Sequence, residues 1–336
     1  MFRTTTGPRP HALLATLFAS VLALVLSGLF AAPSALAQSY PNRPIRIVIG
    51  FSPGGATDAF GRMLGQKLQE RLGQPTVVEN KPGAGGNIGV DYVAKSKPDG
   101  YTLLLAYDSL AIMPWLYKSL PFDVMRDLAP IGVGVFMPMI IPVATNVPAK
   151  TLPELIAWAK ANPGKLSFGS PGTGTAQHLN FERLLVQTDA RMVHVPYKGA
   201  SQLMTDLLAG NLPVGGLVAL SSIAPFVQQG KVRALAVGEP ERVGQFKDLP
   251  TIAEAVPGFV ANVWFGLMAP AGTPDAILTR LSQEMCAGLQ QPDLRDRLTE
   301  MGYQIRPTTP AEMRQMMTTD HARWGPLVKS VGITPE

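Results

Sequence analysis

Short aliphatic segments alternate with helical patterns along most of the chain. Residues Ile45–Ile49 form a compact apolar segment, and apolar side chains then recur at helical spacing over residues 60–72. Strand-like segments at 74–79 and 101–105 enclose a further helical pattern at 88–94. Repeated β-then-α units place parallel strands side by side with helices on both faces. The sequence therefore predicts an α/β protein with parallel-rich sheets flanked by helices.

Two places interrupt this alternation. The strand-like segments 131–135 and 139–145 follow one another with no helix between them, and segment 232–237 is followed, after a polar loop, by segment 259–268. We interpret both places as hinge crossovers between two lobes, because a chain of 336 residues is long enough for two domains. The predicted first lobe comprises residues 38–143 and 263–336, and the predicted second lobe comprises residues 144–262.

The first 37 residues have the pattern of an export signal. Arg3 and Arg9 give this segment a positive start, an apolar run follows from about residue 12 to residue 30, and an A-L-A cleavage sequence ends at Ala37. The apolar run approaches the length of a membrane-spanning helix, so an uncleaved anchor is the alternative. Pro33 and the small-residue site favour a signal peptide that is cleaved after Ala37, which predicts an exported protein.

Composition argues against several functional classes. The chain is 46% hydrophobic and only 16% charged, which excludes a disordered chain. Its net charge is +5, but the basic residues form no run, so nucleic-acid binding gains no support. The single cysteine, Cys286, cannot form an internal disulfide. With one cysteine and only four histidines, the chain has few ligands for a Cys/His zinc site. We therefore expect no metal, cofactor or nucleic-acid partner.

Two loops share the pattern S-P-G-x-x-T at a strand-to-helix junction. The first loop (residues 52–57) lies in the predicted first lobe, and the second loop (residues 170–175) lies in the predicted second lobe. Glycine lets a bound group approach the backbone closely, and the N–H groups at the start of a helix favour an anion. Ligands of α/β sheets bind at the carboxyl ends of strands, where these loops lie. One copy in each lobe predicts a clamp for a carboxylate.

The first loop also fits a different function. Residues 50–54 satisfy G-x-S-x-G, the nucleophile elbow of α/β-hydrolases, so a secreted serine hydrolase using Ser52 is an alternative. The elbow, however, lies on the first strand of the exported chain and leaves no upstream sheet. Pro53 also removes the backbone N–H that would be the main oxyanion donor. We therefore expect no catalytic residue.

Several residues beside the loops are candidate ligand contacts, each with a structural alternative. Asp58 is placed to cap the helix after the first loop or to contact the ligand, and His178 can donate to the ligand or cap its own helix. Tyr197 and Lys198 follow a strand and face the same predicted cleft edge. Lys198 is a cation for an acidic ligand or a solvated lysine.

Eight motifs together resemble the Bug-type receptors of tripartite tricarboxylate transporters. The motifs are Y-P-N-R-P-I at 40–45, F-S-P-G-G-A-T-D at 51–58, V-E-N-K-P-G-A-G-G at 78–86, P-D-G-Y-T-L at 98–103, residues 169–178, V-P-Y-K-G at 195–199, G-K-V-R-A-L-A at 230–236 and residues 264–274. The resemblance covers essentially the whole exported chain. It implies a two-lobed periplasmic-binding-protein fold of the Venus-flytrap kind, similar to type II, with lobes that close on a small carboxylate.

The resemblance also implies a role and a ligand site. The implied role is a monomeric periplasmic receptor, not an enzyme, that delivers a di- or tricarboxylate or an aromatic carboxylate to membrane permease subunits. A receptor for a signalling sensor is the alternative. In this family the S-P-G loops contact the carboxylate through backbone N–H groups and ordered water. The candidate ligand-binding residues are Phe51, Ser52, Gly54, Gly55, Ala56, Thr57, Asp58, Tyr107, Ser170, Gly172, Thr173, Gly174, Thr175, His178, Tyr197 and Lys198.

Two stretches depart from the family pattern. Many relatives carry a Phe-Asp pair in the strand after the helix that ends near Gly210, whereas residues 212–222 here contain no acidic residue. If the Asp of that pair binds the amino group of the ligand in receptors for amino acids, ligands that carry an amino group are less expected here. Tyr107, Asp108 and Ser109 replace a loop of small polar residues, so the side pocket is individual to this chain. An apolar wall near Tyr107 favours an aromatic or hydrophobic carboxylate.

Overall fold

A computed structural model describes residues 40–333 of the chain. The predicted export signal, residues 1–37, lies outside the described residues. Within the described range, residues 43–333 form one compact unit. The strands are β1 (Ile45–Ile49), β2 (Thr76–Asn80), β3 (Thr102–Tyr107), β4 (Leu128–Ala144), β5 (Ser167–Ser170), β6 (Val193–Pro196), β7 (Val218–Ala219), β8 (Val232–Val237), β9 (Asn262–Pro270) and β10 (Gln304–Ile305).

Helices connect or cover these strands. They are α1 (Ala56–Leu72), α2 (Asn87–Ala94), α3 (Met113–Leu116), α4 (Val124–Asp127), α5 (Leu152–Ala161), α6 (Ala176–Thr188), α7 (Ala200–Leu208), α8 (Leu220–Gln228), α9 (Ile252–Ala255), α10 (Asp275–Leu289), α11 (Pro292–Glu300) and α12 (Pro310–Ser330). Short 3-10 turns lie at Ala84–Gly86, Asp108–Ala111 and Gly244–Phe246. Within residues 40–333, no helix combines the length and apolar character that crossing a membrane requires.

The predicted βα alternation is present at one edge of the main sheet. β1 pairs in parallel with β2 on one side and with β3 on the other, and β5 pairs in parallel with β6. The remaining named pairs are antiparallel, because β4 and β9 run against each other and against their other partners. The α/β class is confirmed, but the sheets are mixed and the parallel pairs are confined to these two groups.

The expected break at residues 136–138 is absent from the structure. The two segments 131–135 and 139–145 belong to one strand, β4, whose seventeen residues are all buried. Pro138 lacks a backbone N–H and therefore reads as a strand boundary in the sequence. In the fold it opposes Asn262 near the end of the pairing with β9, and from Ile140 onward β4 pairs with β8 instead. One strand thus links two sets of partners.

The second expected crossover lies beside this change of partner. The Gly238 N–H, directly after β8, donates to the Met139 carbonyl over 2.7 Å. The Gly238 carbonyl then accepts from the Ala261 N–H, also over 2.7 Å, one residue before β9 begins. A Cβ on Gly238 would collide with the Ala261 backbone, so this close approach of two segments requires glycine. The change of partner on β4 and the contact between Gly238 and Ala261 therefore lie side by side.

Helix starts follow their sequence signals. Thr251 and Thr309 each form a complete capping box, with the hydroxyl accepting from the N3 backbone and the glutamate accepting from the N-cap backbone. The Thr151 hydroxyl accepts from the Glu154 N–H, but the Glu154 carboxylate turns to the Lys150 N–H instead. These local hydrogen bonds fix the starts of α5, α9 and α12.

Candidate functional site

Both S-P-G loops line one cleft, which encloses about 420 Å³. The first loop and its flanks contribute Phe51, Ala56 and Thr57, and the second loop contributes Pro171, Thr173, Gly174 and Thr175, followed by Gln177. The end of β3 supplies Tyr107, Asp108 and Ser109. The other lining residues are Gly85, Met113, Leu116, Tyr117, Met137, Val263 and Phe265. Loops that are more than a hundred residues apart in sequence therefore share one ligand-sized space.

Asp58 holds the first loop in shape from below. Its carboxylate accepts from the Gly54 N–H at 3.0 Å, from Arg62 Nε at 3.0 Å and from Asn80 Nδ2 at 2.9 Å. The hydrogen bond from Arg62 is the main reason why the pKa of Asp58 falls to about 2, which burial opposes. Asp58 is buried and does not line the cleft. Of its two expected roles, the structure displays the local one.

The expectation for Gly54 changes for the same reason. Its N–H is bound to Asp58, and its φ of +93° is a left-handed conformation that suits glycine. The backbone groups that the first loop presents therefore lie further on, at the start of α1. That helix begins after Gly55 with no side-chain cap. Ser52, Gly54, Gly55 and Ala56 are exposed, and of these Ala56 lines the cleft.

The second loop is braced from within by Ser170. This side chain is buried, donates to the Gly172 carbonyl at 3.0 Å, and bonds His194 Nε2 at 2.7 Å. The Gly172 N–H in turn donates to the Ser170 hydroxyl at 3.3 Å. Burial, with a smaller effect from His178, lowers the pKa of His194 to about 4, so its ring is neutral near pH 7. Ser170 and Gly172 shape the loop and do not line the cleft.

His178 does not line this cleft, and its ring binds the second loop. Its Nδ1 accepts from the Gly174 N–H at 3.1 Å, and its ring stacks on the His194 ring with centroids 3.7 Å apart. Thr175 caps α6, because its hydroxyl accepts from the His178 N–H and donates to the Gly172 carbonyl. The histidine, expected as a donor or a cap, is thus an acceptor for the loop backbone.

Tyr197 and Lys198 lie next to the second loop but outside the cleft lining. The Tyr197 N–H donates to the Ser170 carbonyl at 2.9 Å, and its hydroxyl donates to Asp206 at 2.9 Å. Burial and this bond raise the pKa of Tyr197 to about 12. Lys198 is exposed, which agrees with the solvated alternative.

Aromatic side chains form one wall of the cleft. The Tyr107 ring lies 4.7 Å from the Phe51 ring, centroid to centroid, and its hydroxyl is directed at the Gly85 carbonyl. The Tyr117 hydroxyl donates to the Ala84 carbonyl at 3.3 Å. Gly85 and Gly86 have positive φ, and a Cβ on either would run into one of these hydroxyls. The glycine-rich segment 83–86 is therefore the support for this wall.

Most of the apolar lining of the cleft was not predicted from the sequence. Met113, Leu116, Tyr117, Met137, Val263 and Phe265 come from three separate stretches of chain, and apolar residues there read as ordinary core. Tyr107 was expected at the site and does line it. Its neighbours Asp108 and Ser109 had a signal, the departure from the family loop.

The cleft holds no basic side chain. Among its lining residues in the described part of the chain, Asp108 is the one that carries a charge. No group of three or more His, Cys, Asp or Glu side chains among residues 40–333 is placed to hold a metal ion. Neutral donors are therefore what the site offers an anion: the Thr57 and Thr173 hydroxyls, the Gln177 amide and backbone N–H groups at helix starts.

A nucleophile geometry for Ser52 is absent from residues 40–333. Ser52 is exposed, and the three histidines in this range have other neighbours. His178 and His194 bind the second loop, and the His321 ring lies 5.0 Å from that of Trp115. A serine nucleophile needs a base within hydrogen-bond reach. The site therefore lacks the pairing that a serine hydrolase uses.

Known sequences are similar to this chain over most of its length. The model of the tripartite tricarboxylate transporter family receptor matches residues 60–333. BugT of Bordetella pertussis is 35% identical over 317 residues, which are 92% of this chain and 97% of BugT. A protein of Cupriavidus necator, described as a UPF0065 protein in the gbd 5' region, is 39% identical over 276 residues, 81% of this chain and 83% of its own length.

Comparisons with solved structures agree as well. The periplasmic binding protein BugD is 33% identical with a TM-score of 0.71, over 88% of this chain and 100% of BugD. Rpa4515 of R. palustris, solved with adipate, is 32% identical with a TM-score of 0.74, over 88% and 100%. MatC of Rhodopseudomonas palustris, with bound malate, is 29% identical with a TM-score of 0.69, over 86% and 100%. The predicted periplasmic-binding-protein fold is confirmed.

Proposed function

This chain belongs to the receptor family of the tripartite tricarboxylate transporters, and on that premise we propose that it captures a small carboxylate in the cleft between its two S-P-G loops. The observation that carries the proposal is that both loops line the same space. Each loop leads directly into a helix, α1 or α6, so the positive ends of two helix dipoles adjoin one cleft.

The carboxylate is held by neutral donors. The start of α1 has no side-chain cap, so its first N–H groups, at Ala56 and Thr57, are suited to an anion. Across the cleft, Thr173 and Gln177 are the polar groups of the second loop and the first turn of α6. The internal hydrogen bonds of Asp58 and Ser170 keep both loops in shape before the ligand arrives. Preorganised dipoles of this kind reorganise little on binding.

The aromatic wall determines what else the ligand carries. Phe51, Tyr107, Met137, Val263 and Phe265 give the cleft an apolar surface beside its polar loops. Such a surface excludes water, and the exclusion of water strengthens the remaining polar contacts. Two relatives were solved with adipate and malate, which supports small organic acids as the ligand class. An acid with an aliphatic or aromatic body fits this lining better than a compact, highly charged tricarboxylate.

The cleft closes by a hinge. The proposed lobes are residues 38–143 with 263–336, and residues 144–262. The change of partner on β4 between Pro138 and Ile140, and the Gly238–Ala261 contact beside it, support two linkers at one place. A ligand that engages donors from both lobes favours the closed form.

Export and delivery complete the proposed role. The signal pattern supports cleavage after Ala37 and a periplasmic location, and the family supports membrane permease subunits of a tripartite transporter as partners. The receptor acts as a monomer without a cofactor. A receptor that presents the solute to a sensor uses the same cleft, so the alternative differs only in its membrane partner.

Thermal shift with a panel of mono- and dicarboxylates, followed by calorimetric titration of the hits, tests the proposal. A ligand that binds only the folded state adds about 2.7 kcal/mol of stability at a hundred times its dissociation constant. We expect at least one carboxylate to raise the melting temperature in a concentration-dependent way. If no carboxylate changes the melting temperature and the protein hydrolyses an ester in a reaction that Ser52→Ala abolishes, the receptor function would be rejected in favour of a serine hydrolase.

A further inference from the structure

Asp108 lines the cleft, and the fold leaves its carboxylate half satisfied. It begins the 3-10 turn after β3 and lines the cleft between Tyr107 and Ser109. Its Oδ1 accepts from the Ser109 N–H at 2.9 Å and from the Ser109 hydroxyl at 3.4 Å. Its Oδ2 is buried and has no hydrogen-bond partner among the described residues. A buried carboxylate oxygen without a donor costs free energy.

No basic side chain compensates this carboxylate. Asp108 also lines a second cavity of about 340 Å³, whose basic lining residues are Arg306 and Arg323. Arg323 bonds Asp320, and Arg306 bonds Glu239 at 2.5 Å. The ionisable side chains that share a cavity lining with Asp108 are Tyr107 at the end of β3, Tyr117 after α3, Asp320 and Arg323 on α12, and Arg306 after β10. Burial raises the pKa of Asp108 to about 7, and Asp320 adds to this effect.

Because the rest of the cleft lining is uncharged, the charge of Asp108 affects ligands with different distal groups differently. A second carboxylate on the ligand would lie in the same apolar space as Asp108, and like charges repel strongly where water is excluded. A hydroxyl or ammonium group would instead donate to Oδ2 and remove its desolvation penalty. The difference between these ligands falls on one side chain, since the other lining residues are uncharged.

We propose that Asp108 makes this receptor select monocarboxylates that carry a distal hydrogen-bond donor over the corresponding dicarboxylates. The selection rests on the proposed carboxylate-receptor function, with the S-P-G loops holding the carboxylate and Asp108 binding the donor. It differs from what the adipate-bound relative suggests, because adipate carries an acid at both ends.

Calorimetric titration with matched linear acids tests the selection. The six-carbon set is hexanoate, 6-hydroxyhexanoate, 6-aminohexanoate and adipate, and four- and five-carbon sets cover other lengths. At about pH 8 we expect a donor-bearing member to bind about tenfold or more tightly than the unsubstituted acid, and the dicarboxylate to bind more weakly than both. The hydroxyl and amino members separate a neutral from a cationic donor. Equal or tighter binding of the dicarboxylate would overturn the proposal.

Asp108→Asn is the informative variant, with the exposed Asp248→Asn as its matched control. The amide keeps the shape of the side chain and removes its charge, so the preference for the amino-bearing acid should collapse and dicarboxylate binding should improve. Asp248→Asn should keep the unmutated order. An unchanged order in Asp108→Asn would overturn the proposal.

The pH dependence of the unmutated protein gives a measurement that needs no variant. Protonation of Asp108 removes the repulsion, so the dicarboxylate should gain affinity as the pH falls from about 8 to about 6, relative to the unsubstituted acid. A constant ratio would contradict the proposal. If no carboxylate in any set or in the wider panel binds, the proposed function itself fails, whereas binding without this selectivity removes only the role of Asp108.

Discussion

The Asp58 carboxylate accepts a hydrogen bond from the Gly54 N–H at 3.0 Å, across one turn at the start of α1. The same carboxylate binds Arg62 and Asn80, so a buried acid ties the first loop to α1 and to the end of β2. A residue that does not line the cleft thus determines the shape of a loop that does.

Asp58→Ala should destabilise the fold by about 1–3 kcal/mol and weaken carboxylate binding, because three donors lose their acceptor. The pKa of Asp58 is lowered to about 2, mainly by the bond from Arg62. Its contribution is therefore full above about pH 4 and is lost as the pH falls toward 2. Thermal melts from pH 7 down to 2 should show the gap between wild type and variant narrowing with acid. Glu300→Gln, an exposed change, is the control; a gap that stays constant down to pH 2 would contradict this role.

Ser170→Ala and Ser52→Ala make the same chemical change in corresponding positions of the two loops. Ser170 is buried and bound to Gly172 and His194, whereas Ser52 is exposed. We expect Ser170→Ala to cost about 1–2 kcal/mol and to weaken binding, and Ser52→Ala to change neither noticeably. Chemical denaturation and calorimetry measure both effects. Equal sensitivity at the two serines would show that Ser52 has a contact that the structure does not display.

Gly86→Ala should disturb the aromatic wall. Gly86 has φ +102°, and a Cβ there would collide with the Tyr107 hydroxyl, whose ring packs on Phe51. Gly73 also has positive φ, +68°, but has open space around it. Gly73→Ala should therefore cost only backbone strain, about 1 kcal/mol, with binding retained. Gly86→Ala should lose more stability and much of its affinity; matched affinities for the two variants would argue against a role of this wall.

Small-angle scattering tests the hinge. The ligand has to meet donors from both proposed lobes, so saturating carboxylate should reduce the radius of gyration. A radius that does not change while calorimetry reports full binding would mean that the cleft is preformed and the linkers near Pro138 and Gly238 do not bend.

Local features of this protein were predictable from the sequence, and long-range contacts were not. The starts of α9 and α12 follow from hydroxyl–carboxylate pairs three residues apart, and both S-P-G loops follow from the repeated S-P-G-x-x-T pattern. The Ser170–His194 bond joins residues that are 24 positions apart, on neighbouring strands β5 and β6. Strand register, which no local signal encodes, brings them together.

The nature of the cleft wall escaped sequence reasoning for a related reason. Met137 on β4 and Val263 on β9 are opposed across an antiparallel pair, so they meet only once that register is set. Asp108 belongs to a stretch that departs from the family loop, but the sequence did not indicate that its carboxylate is buried. Its burial arises from α12, which contributes Asp320 and Arg323 to the same cavity from about two hundred residues further along the chain.

In the proposed complex, one carboxylate contacts both loops at once. Backbone amide NMR of the ¹⁵N-labelled chain from residue 38 onward, titrated with the tightest-binding carboxylate, tests it directly. We predict that the amide resonances of Ala56 and Thr57 and those of Thr173 and Gln177 shift together, with one dissociation constant that matches calorimetry. Shifts confined to one loop, or two loops that respond with different dissociation constants, would contradict the claim.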